Sequence, residues 1–115
     1  MSGDVDSRQV GNVVILKPKG TIVVSRGAED LDMALQYLIA KGCLHILLDL
    51  GEVTYLDSRG ISVLVRTIAS LEKRGGKLKV LNISGRVFTI LNITNLLKVI
   101  ESFDDEATAL KSYDS

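Results

Sequence analysis

The feature that most constrains this chain is a short apolar run, HILLDL at residues 45–50, followed after GEVTYLDSRG by a strongly patterned helix. The run is too brief for a helix and apolar on both faces. That is the pattern of a strand buried inside a parallel sheet and covered on both sides. A parallel neighbour is reached only by a crossover, so such a strand commits the chain to βαβ units. The following stretch supplies the crossover. Ile61, Leu64, Val65, Ile68 and Leu71 form an apolar stripe at helical spacing, Arg66, Glu72 and Lys73 are left to face water, and Gly75-Gly76 ends the helix.

The alternation extends in both directions. Upstream, NVVILKPKGTIVV reads as a strand pair or a bent strand: Val13–Leu16, a break at Lys17-Pro18-Lys19-Gly20, then Thr21–Val24. An edge strand near Val5–Val10 is expected before it. A helix follows, with Leu31, Ala34, Leu35, Leu38 and Ile39 on one face, Glu29 and Asp30 at its start, Lys41 near its end and Gly42 as its stop. Downstream, KLKVLNI reads as a strand and Ser84 caps a third helix with Val87, Ile90 and Leu91 inward. LLKVI reads as a last strand, and DDEATALKSY as a closing amphipathic helix started by Asp104 and Asp105. The predicted class is α/β: a mixed four- to six-stranded sheet, parallel in its centre, with about four helices mainly on one face.

A length of 115 residues suits one domain spanning 1–115. With 4% aromatic residues and no Trp, its core must be aliphatic. Lys plus Arg equals Asp plus Glu at 14 each, and no basic patch stands out, which argues against direct binding of nucleic acid. Cys43 has no mate for a disulfide, the first residues carry acids rather than an apolar core, and no apolar run is long enough for a membrane. A cytoplasmic protein is the expectation. His45 opens an apolar strand without further ligands at metal spacing, Cys43 reads as a small buried residue, and Gly75-Gly76-Lys77 lacks the spacing of a phosphate loop. No motif calls for a metal or cofactor.

Partners of open α/β sheets meet the carboxyl ends of the strands. Three loops fall there: 24–27, 51–60 and 82–86. The middle one holds Asp57 and Ser58, both good helix caps, with Gly60 in the first turn. Ser58 has two compatible readings. It is a cap, or it accepts a phosphoryl group where the helix dipole favours an anion. Asp57 and Ser58 have no histidine base beside them, so nucleophilic catalysis lacks its activating group.

The stretch HILLDLGEVTYLDSRGISVLV, with its aspartate–serine–X–glycine motif, resembles the STAS domain, and in particular the stand-alone anti-sigma factor antagonists of bacteria. LKPKGTIV, RGGKLKVLNISGRVFTILNITNLLKVI and DDEATAL resemble that family's second strand region, its later strand, helix and final strand, and its closing helix. The resemblance implies a partner-switching regulator with no catalytic residues. Its unphosphorylated form binds an anti-sigma factor that is also a GHKL-type serine kinase; phosphorylation at Ser58 releases it, and a PP2C-type phosphatase resets it. The partner-binding residues carried over are Asp57, Ser58, Arg59, Gly60, Ser62, Ser84 and Gly85. Independently of the resemblance, a monomer or weak homodimer is expected, the latter through an exposed edge strand at the N-terminus. Alternatives are a STAS scaffold or regulator in a non-transcriptional signalling assembly, or a small-ligand or nucleotide-binding module. The chain departs from the family pattern at Arg59, often small or hydroxylic there; at Ser62, commonly glycine; and at Thr21–Val24, where many members carry an acid.

Overall fold

The computed structural model describes residues 5–114. The reading of the first residues as no leader therefore lies partly outside the described residues. Five strands form the main sheet in the order β1-β2-β4-β6-β7. They are β1 (Val5–Val10), β2 (Val13–Pro18), β4 (His45–Asp49), β6 (Lys77–Leu81) and β7 (Ser102–Phe103). β1 is the expected edge strand, antiparallel to β2, and all the other pairings are parallel. A second, two-stranded sheet pairs β3 (Gly20–Ile22) with β5 (Val53–Leu56) in parallel. The helices are α1 (Ala28–Ala40), α2 (Ser58–Glu72), α3 (Gly85–Ile93) and α4 (Glu106–Lys111).

Strand alternation divides the core. Leu16, Ile46, Leu48, Leu78 and Val80 point to one side, where they pack with Leu31 and Leu35 of α1, Leu64 and Leu71 of α2, and Val87 and Leu91 of α3. Val13, Ile15, Leu47 and Leu81 point to the other, under Ala109 and Leu110 of α4. Each parallel crossover steps one strand along the sheet in the same direction. Connections of one hand that all step one way place their helices on one face. The apolar-on-both-faces pattern of β4 thus has its cause: it is central and covered twice.

Several expectations are corrected. The region 51–60 is not one loop, because β5 lies within it. Thr21–Val24 forms a strand only through Ile22; Val23 turns back, exchanging hydrogen bonds with Arg26 (2.8 and 3.0 Å), and Val24 is 68% exposed. LLKVI is not a strand. Its first residues, Leu96–Lys98, form a 3-10 turn after the left-handed Asn95 (φ 64°), and the last strand comes later at Ser102. Leu96 and Ile100 are buried while Lys98 midway between them is exposed, which strand alternation would not produce. In α2 the buried set is Gly60, Val63, Leu64, Thr67 and Leu71, and Val65 is exposed. Cys43 is half-buried rather than buried. At α4, Asp105 is the cap, accepting from the Thr108 N–H at 2.9 Å, and Asp104 is not.

The sheet face under α4 holds a buried lysine. The Lys79 Nζ donates to the Ser112 carbonyl (3.1 Å) and hydroxyl (2.8 Å), pairs with Glu101 (3.1 Å) and lies 4.5 Å from the Tyr113 ring centroid. The Tyr113 hydroxyl donates to the Ile46 carbonyl, and its ring rests against His45. Together these fasten the chain after α4 onto the sheet. The Glu101 side chain is 66% exposed and stays hydrated without the lysine, so the cost of removing Lys79 lies in the two hydrogen bonds lost at Ser112. Lys79→Met is therefore expected to lower global stability by about 1–3 kcal/mol while speeding amide exchange at Ser112–Asp114. Exchange rates there equal to wild type would show that Lys79 does not hold the turn.

Candidate functional site

The site is built where β3, β5, α1 and α2 meet. β5 delivers the chain to Asp57, whose extended backbone (φ −100°, ψ −171°) makes it the N-cap of α2. One carboxylate oxygen of Asp57 accepts from the Gly60 N–H at 3.0 Å; the other accepts from the Val24 N–H at 2.9 Å. A single side chain thus caps α2 and ties down the loop between β3 and α1. The Asp57 N–H in turn donates to the Ile22 carbonyl at 3.3 Å.

Two glycines make this closeness possible. A Cβ on Gly60 would lie 2.4 Å from the Ile22 carbonyl oxygen, so the first turn of α2 sits directly on the end of β3. Gly27, just before α1, has φ +91°, and its Cβ would lie 2.2 Å from the Thr21 oxygen. Only glycine combines that conformation with that approach.

Ser58 follows the cap as the first residue of α2 and is exposed. The cap reading is corrected: both residues have the chemistry, and Asp57 takes the position because the Val24 N–H lies within its reach. The Ser58 hydroxyl is not needed for capping. Ser62, one turn on and half-buried, stands on the same side of α2, since residues four apart stack along a helix.

Arg59 turns to α1 instead. Its guanidinium pairs with Glu29 and lies 3.6 Å from Asp32. Asp32 is 8% exposed, and both its oxygens accept from Arg66 at 2.7 Å. Arg66 is thus an ion-pair partner as well as a water-facing residue. The four charges alternate across the α1–α2 seam. The Glu29 carboxylate and its hydrogen bond hold the Arg59 guanidinium above its ordinary range.

Gly60 is buried, so it shapes the surface and offers no side chain to a partner. Ser84 stands at the N-cap of α3 without a side-chain capping bond, and both Ser84 and Gly85 are exposed. Among the described residues, no hydrogen bond or ion pair links them to the Asp57–Gly60 turn. The Arg86 guanidinium lies over the Tyr55 ring at 4.9 Å, joining the start of α3 to β5. Val24 and Arg86 entered the sequence reading only as members of the Thr21–Val24 stretch and the 24–27 and 82–86 loops, since neither a lone valine nor a lone arginine carries a pattern. Among the described residues, no His, Cys, Asp and Glu group could hold a metal, and no helix is long and apolar enough to cross a membrane.

The N–H groups of Gly60 and Val24 hold the Asp57 carboxyl below its ordinary value of 3.8. A depressed carboxyl stabilises the fold above its unfolded value and loses that contribution as pH falls through the folded one. Asp57→Asn, which keeps only one acceptor oxygen, is expected to be less stable than wild type near neutral pH. The gap should close as pH falls below about 3.8. Thermal melts of both proteins across pH check this, and a gap independent of pH would refute it.

The STAS domain family model matches residues 4–109. The anti-sigma-B factor antagonist of Bacillus subtilis is 34% identical over 101 residues, covering 88% of this chain and 91% of the relative. The anti-sigma F factor antagonist of Paenibacillus polymyxa is 29% identical over 80 residues, covering 70% of this chain and 66% of the relative. Among solved structures, an anti-sigma factor antagonist from Mycobacterium paratuberculosis superposes with a TM-score of 0.86 at 22% identity, covering 96% of this chain and 93% of that one. SpoIIAA, solved unphosphorylated and phosphorylated, superposes with TM-scores of 0.73 and 0.74 at 16% and 17% identity. The unphosphorylated form covers 96% of this chain and 98% of its own; the phosphorylated form covers 95% and 98%. These structures share the fold. With the family match over nearly its whole length, the chain belongs to the STAS domain family.

Proposed function

We propose that this chain is an anti-sigma factor antagonist that works by partner switching, with Ser58 as its phosphoacceptor and no catalysis of its own. The observation that carries this is the division of labour at the turn. Asp57 uses both carboxylate oxygens to hold α2 and the β3–α1 loop, which leaves the Ser58 hydroxyl exposed and structurally idle. A side chain with no structural duty can be modified without unfolding the domain. The naming of the relatives as anti-sigma factor antagonists supports the same reading, as does the existence of SpoIIAA in two phosphorylation states.

The partners on this reading are an anti-sigma factor with serine kinase activity and a PP2C-type phosphatase, acting on a single cytoplasmic domain spanning 1–115. Asp57, Ser58, Arg59 and Ser62 would face the kinase, with Ser84 and Gly85 at its margin and Gly60 beneath. Val24 is exposed within the uncharged Thr21–Val24 stretch, where the family resemblance implies an acid in many members, so the kinase should present an apolar group there. A phosphate adds about −1.5 to −2 charges beside Asp57, which a partner must then desolvate.

Incubation with the cognate kinase and ATP, followed by peptide mass spectrometry, tests the proposal. The expected result is one phosphate, on Ser58, and none in Ser58→Ala. Modification elsewhere, or none, would overturn the assignment.

A further inference from the structure

We propose that Arg59 binds the phosphoryl group on Ser58, and that it does so by leaving Glu29. The proposal rests on Ser58 being the phosphoacceptor. It concerns a residue at which the chain departs from its family's pattern, and it assigns that residue a phosphomonoester ligand.

Two of the first-turn donors at this helix start are already engaged. The Gly60 N–H is held by one Asp57 oxygen at 3.0 Å, and the Ile61 N–H donates to the Asp57 carbonyl at 3.0 Å. Asp57 itself cannot turn away, because its other oxygen holds Val24. A phosphate on Ser58 therefore arrives beside a fixed carboxylate, and a neighbouring side-chain cation is what offsets that like charge.

Arg59 is the cation next to it. Adjacent residues lie about 100° apart around a helix, so a long, flexible stem on Arg59 can swing toward Ser58. Its present hold is exchangeable: the Glu29 side chain is 64% exposed, and a solvated carboxylate pairs weakly with a guanidinium. The phosphate offers more charge and three acceptor oxygens that suit the planar guanidinium fork. Asp32, 3.6 Å from Arg59, opposes the transfer only in part, since Arg66 already satisfies both its oxygens at 2.7 Å. Arg66 stays with Asp32, and only the outer half of the four-charge seam changes.

The consequence reaches beyond the phosphate. When Arg59 moves, the Glu29 carboxylate is uncovered at the start of α1. The new negative charge is then shared between the Ser58 ridge and α1, so a partner spanning both helices meets repulsion at two places instead of one.

The experiment installs phosphoserine at residue 58 during translation, so that no kinase is involved. The phosphate is then titrated by 31P NMR in the wild-type background and in Arg59→Ala, while the Arg59 side-chain N–H is followed by 15N NMR. In the wild-type background the phosphate should lose its second proton roughly half a pH unit below its value in Arg59→Ala, where it returns toward about 6. The Arg59 N–H signal should titrate with the same midpoint as the phosphate, and Glu29→Gln should keep the low value. Equal phosphate midpoints with and without Arg59, or an Arg59 signal indifferent to the phosphate, would overturn the proposal. A kinase that ignored Ser58 would defeat the functional reading and leave this result unaffected.

Discussion

Phosphorylated Ser58 is expected to bind the kinase partner more than about a hundredfold more weakly than the unmodified protein, a loss of roughly 3 kcal/mol. Ser58→Asp, with one charge and no tetrahedral oxygens, should lose at least about tenfold. Ser58→Ala should bind as the unmodified protein does. The reason is geometric: Asp57 is a carboxylate locked at the same surface by Val24 and Gly60, so a second anion meets a like charge that cannot move aside. The fold should not register the change, because the Ser58 side chain is exposed and idle, and such positions shift stability by no more than about 0.5 kcal/mol. Calorimetric titration of the four proteins against the kinase, with thermal melts alongside, checks both halves. Equal affinities for Ser58→Ala and Ser58→Asp would remove the switch from this residue.

Gly60→Val is expected to be the most damaging single change at the site. Its Cβ would have to occupy space 2.4 Å from the Ile22 carbonyl oxygen and 3.2 Å from the Leu56 side chain. The first obstacle is backbone, so α2 must lift from β3. Overpacking of this kind costs about 1–3 kcal/mol and occasionally more; a β-branched residue adds further crowding. A loss of about 3 kcal/mol corresponds to roughly 12 °C in Tm for a domain of this size. The displacement should also pull Asp57 away from Val24, so partner binding and the Val24 amide signal should change together. A Tm within about 2 °C of wild type would show that α2 does not rest against Ile22.

The two effects are separable because the turn divides its duties. Gly60 and Asp57 hold the surface in shape, Ser58 carries the changeable charge, and Arg59 is stored against α1 until that charge arrives. Substitutions at the first two should lower stability and binding together. Substitutions at the last two should alter binding alone.

Much of this architecture was legible in residue order. The doubly apolar strand at Ile46–Leu48 and the helix after Asp57 required a parallel, covered sheet, because a strand with no polar face must be buried on both sides. The Asp57–Ser58–Gly60 turn was visible as a cap with a small residue in its first turn. β5 was not legible. Its four residues, Val-Thr-Tyr-Leu, are buried only at the ends, and its partner β3 lies some thirty residues earlier. The helix stripe was displaced too: Val65 and Val63 are equally apolar, and the buried one is chosen by how α2 is rolled over the sheet and against α1, where Asp32 meets Arg66.

The same division runs through the site. Residue order by itself determined that a hydroxyl and a carboxylate would stand together at a helix start, because that chemistry is local to one turn. Only the tertiary structure decided which of them caps the helix, because the deciding donor, the Val24 N–H, comes from a loop 33 residues away. Likewise Arg59 could be read as a departure but not as one of four alternating charges, since its partners Glu29 and Asp32 belong to another helix. Periodicity and capping act within a few residues; contacts between elements depend on how those elements come to lie against one another, and no window of sequence contains that.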